Sequence, residues 1–229
     1  MVCQVHLALL SNPTRLGDMK HFIYTLIFAL IATPTLAGTP LQEMPAGQYS
    51  IDPAHVSVTW KVSHLGLSDY TARFTDIQAD LTLNPIDLGQ STIAVTMNPL
   101  SIRTDFPNPE KKDFDAKLAK GKEWFNAETF PSITWNSTKI EITGDNTANI
   151  TGDLTLLGET HPVTLDVTFN KALKSQPFTG KPALGFSATA QLDRTQWGFD
   201  TYAPNIGADV SVIIEAEFIG DKTAPLGNE

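Results

Sequence analysis

Between Tyr49 and Gly66, Val56, Val58, Trp60 and Val62 alternate without a break with Ser57, Thr59, Lys61 and Ser63. A period of two puts the two sets on opposite faces of a strand. Each apolar residue has a polar neighbour, so one face meets water and the other an interior. That is the pattern of a stave in an antiparallel sheet or barrel, not of a parallel strand buried on both sides. His64 continues the apolar parity, and Gly66 ends the run.

The alternation returns along the chain. Ala72 and Phe74, then Ile77, Ala79, Leu81 and Leu83, form a second strand whose parity slips near Asp76, as a β-bulge would make it. Asn84-Pro85 closes it. Ile93, Val95 and Met97 make a third, stopped by Pro99. A fourth runs from Ser132 to Glu141 around Ile133 and Trp135, before a turn at Thr143-Gly144-Asp145-Asn146. Ala148, Ile150, Leu154 and Leu156 lead into Gly158-Glu159, a tight hairpin signal, and Val163, Leu165, Val167 and Phe169 return from it. Phe186, Ala188, Ala190 and Leu192 form the seventh strand. Val210, Val212, Ile214, Ala216 and Phe218 form the eighth. Eight amphipathic strands separated by turns predict an all-β domain, an up-and-down barrel or a sandwich.

One stretch, Asn108 to Ala127, lacks the alternation. Asp113 can cap a short helix with Phe114 and Leu118 on its apolar side, ending at Gly121. Lys111, Lys112, Lys117, Lys120 and Lys122 make it the most basic part of the chain. They are either a solvated helix face or a cationic lip beside a barrel mouth.

Ahead of the strands, Lys20 and His21 precede an apolar run from Phe22 to Ala32, and Thr35-Leu36-Ala37 fits a small-residue cleavage site. These are the features of a secretory signal peptide. The run is about half the length of a membrane-spanning helix, so no stable membrane span is expected. The reading is a periplasmic or secreted protein whose mature chain begins near Gly38, with a retained anchor as the alternative. Met19 lies where such a leader should start, which leaves Met1 or Met19 as the initiator. The chain then divides into residues 1–37, an upstream extension plus leader, and residues 38–229, one barrel domain.

Charge and composition narrow the function. The formal net charge is −9, and losing Arg15, Asp18 and Lys20 with the leader deepens it by one unit. An acidic surplus argues against nucleic acid and against simple electrostatic docking on anionic membrane. Cys3 is the one cysteine and falls in the leader, so the mature chain has no disulfide, thiolate metal site or thiol nucleophile. Of the histidines downstream, His55 and His64 have an odd spacing that puts them on opposite faces of a strand. No H-x-x-x-H, C-x-x-C, G-x-S-x-G or phosphate-binding glycine pattern occurs. The pairs Asp113/Asp115 and Glu215/Glu217 read as solvated carboxylates. No metal, cofactor or catalytic residue is predicted, although a Ser-His-Asp site assembled only in three dimensions stays open.

Parity selects the interior. It turns Val58, Trp60, Val62 and His64 inward from the first strand, Phe74 from the second and Trp135 from the fourth. From the last two strands it adds Phe186, Ala188 and Ala190, then Val212 and Ile214. These are the candidate ligand-binding residues. An eight-stranded barrel is just wide enough to be filled by its own side chains or to hold one small ligand. Ala72, Ala79, Ala148, Ala188, Ala190 and Ala216 are small inward residues that would leave a slot. His64 is then either a core histidine bonded to a backbone carbonyl or a polar grip on a ligand head.

Taken in order, Tyr49-Ser-Ile-Asp52, His55 to Gly66, Ser101-Ile-Arg-Thr104, Asp113-Phe-Asp115 and Trp124-Phe125 resemble the YceI-like proteins. Phe130 to Ser137, Gly152 to Gly158, Pro162 to Leu165, Gly185-Phe186 and Arg194-Thr-Gln-Trp-Gly198 extend the resemblance over nearly the whole mature chain. It implies a lipocalin-like antiparallel barrel, exported, holding a long polyisoprenoid or similar apolar chain, without metal or known catalysis. Two departures stand out. The Arg-Asp-x-His-Leu run common in the family is absent between Phe106 and Leu118, and Arg73 replaces a glycine common before Phe74.

The resulting expectation is a lipid-binding carrier, storage or stress-related protein. Its partners would be a polyisoprenoid, an isoprenoid quinone or another long-chain lipid, with no nucleic acid partner; a homodimer is left open. The alternatives are an enzyme acting on a bound lipid and an empty structural barrel working through its surface.

Overall fold

The computed structural model describes residues 39–221. The expected leader, its cleavage site, the choice of initiator and the tail from Lys222 lie outside the described residues. In chain order the strands are β1 (Gly47–His64), β2 (Ser68–Phe74), β3 (Ile77–Leu83), β4 (Thr92–Met97) and the two-residue β5 (Ile102–Arg103). They continue with β6 (Ile133–Ile142), β7 (Thr147–Leu156), β8 (Glu159–Leu173), β9 (Ala183–Asp193) and β10 (Ile206–Gly220). Among the described residues one α-helix, α1 (Phe114–Lys120), falls between β5 and β6. The Asp113 side chain accepts from the Ala116 N–H at 2.8 Å, and Gly121 caps the other end.

Every ladder is antiparallel. Round the wall, β1 pairs with β3, followed by β4, β6, β7, β8, β9 and β10, and β10 returns to β1 with Val58 opposite Ile214. That last ladder closes the ring and excludes a two-sheet sandwich. β3 pairs with the first part of β1, Gly47 opposite Leu83, and β2 with the second part, Val62 opposite Tyr70. β2 and β3 are therefore the halves of one bent stave, and the barrel has eight staves. The bend falls at Thr75-Asp76, where the alternation slips. The 3-10 turn Pro99–Ser101 holds it: Thr75 Oγ1 donates to the Ser101 carbonyl at 3.0 Å and the Asn98 N–H to that of Asp76 at 3.1 Å.

A second slip lies inside β1. Its register against β10 shifts between Ile51 and Val56, so inward parity changes from Tyr49 and Ile51 to Val56, Val58, Trp60 and Val62. Tyr49 is fully buried beside Met44, Ala172 and Leu184. Its ring explains Gly220, where a Cβ would come within 2.7 Å of it. At Gly152 a Cβ would meet the Trp135 ring at 2.4 Å, and Trp135 Nε1 donates to the Val163 carbonyl at 3.3 Å.

The Tyr49 hydroxyl donates to the Pro45 carbonyl at 2.8 Å, and burial pushes its pKa from 10.0 up to about 12. A raised pKa means that the folded state holds the proton harder. Its stabilisation is thus complete below pH 10 and is lost as pH rises through about 12. In a spectrophotometric alkaline titration Tyr49→Phe should remove the last phenolate step and cost about 1 kcal/mol of stability. An unchanged last step would refute the assignment.

Candidate ligand tunnel

The inner wall is almost wholly apolar and does not fill the space it encloses. A cavity of about 620 Å³ runs inside the barrel. β1 contributes Val58, Trp60 and Val62 to it, the bent stave Phe74, and β6 Trp135. Phe186, Ala188 and Ala190 face it from β9, and Val212 and Ile214 from β10. Rungs align across neighbouring strands: Ala188 stands between Val167 and Ile214, and Ala190 beside Val212. Ala79, Ala148 and Ala216 also line the cavity, whereas Ala72 is packed in the core without lining it.

His64 does not join them. It is exposed and absent from the lining. The register of β1 against β10 shifts between Val62 and His64, where Val62 faces Val210 but His64 faces Ile206, and the chain turns at once through Leu65 (φ 56°) and Gly66 (φ 67°). Parity holds only while the ladder does.

One end of the tunnel is closed. β5 pairs only with β2, so no ladder joins it to β6, and the segment from Thr104 to Pro131 fills that part of the wall. Leu118 of α1 and Phe125 project into the core beside Phe74 and Phe199; Phe125 packs edge-on to both, centroids 5.5 and 5.2 Å away. Trp124 meets Phe199 at 5.9 Å. Behind Phe199 lies Arg194, 5% exposed, its guanidinium carbon 5.4 Å from that ring. Nε donates to the Gly207 carbonyl at 2.8 Å, one terminal nitrogen to Phe199, and the other to Thr201 and Ile206 at 3.0 and 2.9 Å. Burial lowers its pKa from the usual guanidinium value, while Asp200 and Asp193 act the other way. The cation thus ties the β9–β10 connection into a lid. Near this end Trp60 Nε1, Tyr70 Oη and Trp124 Nε1 are buried without a hydrogen-bond partner.

The other end is open off-centre. Met44, Tyr49, Ala172 and Leu184 fill the side next to β1, β8 and β9. The mouth lies between Leu41-Gln42, Leu88 and Ser91 of the β3–β4 connection, and Ile142 to Thr147 of the β6–β7 hairpin. Gln42 and the residues from Ile142 to Thr147 are exposed.

The structure decides for the solvated reading of the lysines and corrects that of Asp115. The lysines from Lys111 to Lys122 are exposed around α1 at the closed end, not a lip at the mouth; Lys112 lies over the Phe106 and Phe114 rings at 4.9 and 5.2 Å. Asp115 is not simply solvated: it accepts from the Thr104 backbone N–H at 2.9 Å and its hydroxyl at 2.5 Å. On the outer face Asp52, His55 and Glu217 place their ligand atoms within 4.8 Å of one another. His55 bonds Asp52 at 2.9 Å, which raises the histidine pKa and lowers that of the carboxylate. This exposed cluster is outside the tunnel.

Sequence reasoning overlooked the lid and the mouth. Leu41, Gln42, Trp124, Phe125, Arg194 and Phe199 come from connections, where no periodicity marks a face. The available signals were two motifs of the family resemblance, Trp124-Phe125 and the Arg194-Thr-Gln-Trp-Gly198 turn directly after a strand. Ile140 and Ile142, also lining, follow the slip in β6 between Ser137 and Lys139.

A closed eight-stave barrel with an apolar, unfilled interior has room for one small ligand. The chain is a member of the YceI-like domain family, which matches residues 49–218. A UPF0312 protein of Pseudomonas putida (strain W619) is 35% identical over 173 residues, 75% of this chain and 85% of that one. Among solved structures, Burkholderia cenocepacia BcnA superposes with a TM-score of 0.62 at 22% identity, over 73% of this chain and 98% of that one. A polyisoprenoid binding domain from Saccharophagus degradans, implicated in plant cell wall breakdown, shares the fold with a TM-score of 0.57 at 11% identity, over 76% and 98% of the two chains.

Arg194→Met should leave the Gly207, Phe199, Thr201 and Ile206 carbonyls without their donor and cost about 3 kcal/mol or more. The check is the denaturant midpoint, with Arg194→Lys expected in between. Equal midpoints for all three proteins would show that the lid does not depend on the guanidinium.

Proposed function

We propose that this protein is an exported carrier that holds one long apolar chain, a polyisoprenoid or a lipid of similar build, inside the barrel. The observation that carries the reading is the cavity of about 620 Å³ with a hydrocarbon lining from Leu41 to Phe199. Export rests on the leader pattern at residues 20–37, and the isoprenoid class is supported by what the Saccharophagus degradans domain binds.

Energetics favour a long chain over a short one. Each methylene moved from water into such a lining contributes about 0.8 kcal/mol, while association costs about 4–15 kcal/mol. Ten methylenes therefore barely break even, and twenty bind firmly. The head group is neutral in this reading. Arg194 is the one cation of the lining, and four backbone carbonyls already occupy it. A polar head keeps its water at the wet mouth beside the uncharged Gln42 and Asn146, whereas the closed end offers it only the unpartnered Nε1 donors of Trp60 and Trp124.

Catalysis on the bound lipid is the weaker reading. Among the described residues, Asp145 at the exposed mouth is the only carboxylate of the lining, and no histidine lines the tunnel.

Protein purified from its own host should release a long-chain neutral lipid on organic extraction, near one per chain by native mass spectrometry. Ala188→Phe and Ala190→Phe put a ring into the slot and should abolish co-purified lipid while the barrel still unfolds cooperatively. A lipid-free wild type, stabilised by the same two substitutions, would favour an empty structural barrel.

A further inference from the structure

Among exposed apolar side chains, three sit at the mouth end on three connections that follow one another round the rim. Ile86 of the β3–β4 connection is 97% exposed, Phe178 of the β8–β9 connection 93%, and Ile142 at the β6–β7 hairpin 56%. Ile86 and Phe178 are lone tips among turn-formers, Asn84, Pro85 and Asp87 around the first and Pro177 and Gly180 around the second, whereas Ile142 ends β6 and pairs with Ala148. These turns are braced from within. Asn84 Oδ1 accepts from the Ile86 and Asp87 N–H groups at 3.1 Å, and Gln176 Oε1 from those of Phe178 and Thr179 at 2.8 and 2.7 Å. The backbone thus holds the side chains outward.

The apolar lining of the tunnel continues onto this rim, since Ile142 belongs to both. The charges of the rim offer no basic patch. Lys174 is ion-paired with Glu43 at 3.0 Å, Lys181 lies 3.7 Å from Asp221, and Asp87 and Asp145 add negative charge.

We propose that the mouth end docks on an electrically neutral phospholipid surface, with Ile86, Phe178 and Ile142 entering the interface so that a lipid chain passes between bilayer and tunnel without crossing water. The proposal rests on the carrier reading above. Tips on separate connections around one opening suit a soft, laterally fluid surface, which needs no matched contour. Aromatic and branched aliphatic tips are the side chains that seat in the headgroup boundary. Among the described residues, the pairing of Lys174 and Lys181 with carboxylates and the added charge of Asp87 and Asp145 argue against attraction to anionic lipid as the driving force. A dry path matters because a chain of twenty methylenes leaving a membrane through water loses its hydrophobic stabilisation on the way.

The closed end also exposes apolar groups, Leu67 at 82% among them, but no tunnel opens there, so Leu67 serves as the control. Protein from its host is sedimented with phosphatidylcholine vesicles and with vesicles half phosphatidylglycerol. Wild type and Leu67→Asp should sediment with phosphatidylcholine. Ile86→Asp and Phe178→Asp should each lower the bound fraction at least tenfold, with a parallel slowing of lipid transfer between vesicles. Half-phosphatidylglycerol vesicles should bind no better than neutral ones. Rim variants that bind like wild type overturn the proposal, as does loss on Leu67→Asp alone or tighter binding to the anionic vesicles. A change of oligomeric state on gel filtration with vesicle binding unaltered would make the rim a contact between copies and also end it. Extraction keeps the two claims apart. Ile86 and Phe178 do not line the tunnel, so their variants should still carry lipid; a wild type without lipid refutes the carrier reading whatever the vesicles show.

Discussion

The ladder between β1 and β10 is the constraint on which the molecule depends. An open antiparallel sheet has two edges of unpaired N–H and C=O groups that need water or another chain. Joining Val58 to Ile214 and Trp60 to Val212 removes them from the ring. Once the wall satisfies its own backbone, its inner face needs no polar groups, and the interior can be hydrocarbon throughout. Water inside such a lining finds few hydrogen-bond partners, so the interior suits a ligand that asks for little but burial. The apolar face is inside, while Lys61, Asp69 and Glu215 stand outside; a barrel that spans a membrane has the opposite arrangement.

The two ends differ because their connections differ in length and chemistry. At the closed end the chain crosses from β5 to β6 and from β9 to β10 by long segments, enough to fold aromatic rings back over the opening. Such connections expose backbone carbonyls to the interior, and Arg194 answers four of them at once. A guanidinium suits this place because its planar fork keeps several donors in fixed directions and its charge is weakly hydrated. At the mouth the β6–β7 turn is too short to reach across, and the plug of Met44, Tyr49 and Leu184 covers only one side. The opening lies beside that short hairpin.

Strand identity and the direction of inward residues were legible wherever the ladder ran unbroken. Val58, Trp60 and Val62 could be placed from their neighbours alone, and so could Ala188, Ala190, Val212 and Ile214. The slip at Asp76 was visible too, because a bulge inverts parity and parity is written in the composition. His64 shows the limit. Its alternation was intact, but the register shift and the turn at Leu65 depend on β10, which is far away in sequence. Residues of the lid were hidden for the same reason. Phe125 and Phe199 are brought together by tertiary packing, and nothing local distinguishes an aromatic that plugs a barrel from one that sits on its outside. The lysines around α1 could be seen as a cluster, but which end of the barrel they occupy is a matter of topology.

Shape then selects the kind of ligand. Ile133 and Ile142, the two ends of β6, both line the cavity. Ten residues of strand at ~3.4 Å each, tilted as in an eight-stave barrel, give an axial length of ~25 Å. A volume of about 620 Å³ spread over that length leaves a channel about one or two hydrocarbon chains wide. A compact ligand of equal volume would leave most of the tube unfilled and forgo the contacts of Ala188 or of Ile140. A branched chain touches every rung in turn, and the alternation of Ala with Val, Ile and Phe along the wall offers recesses for its methyl groups. In the carrier reading, the alanines that keep the tube from filling itself would be the residues that read the chain.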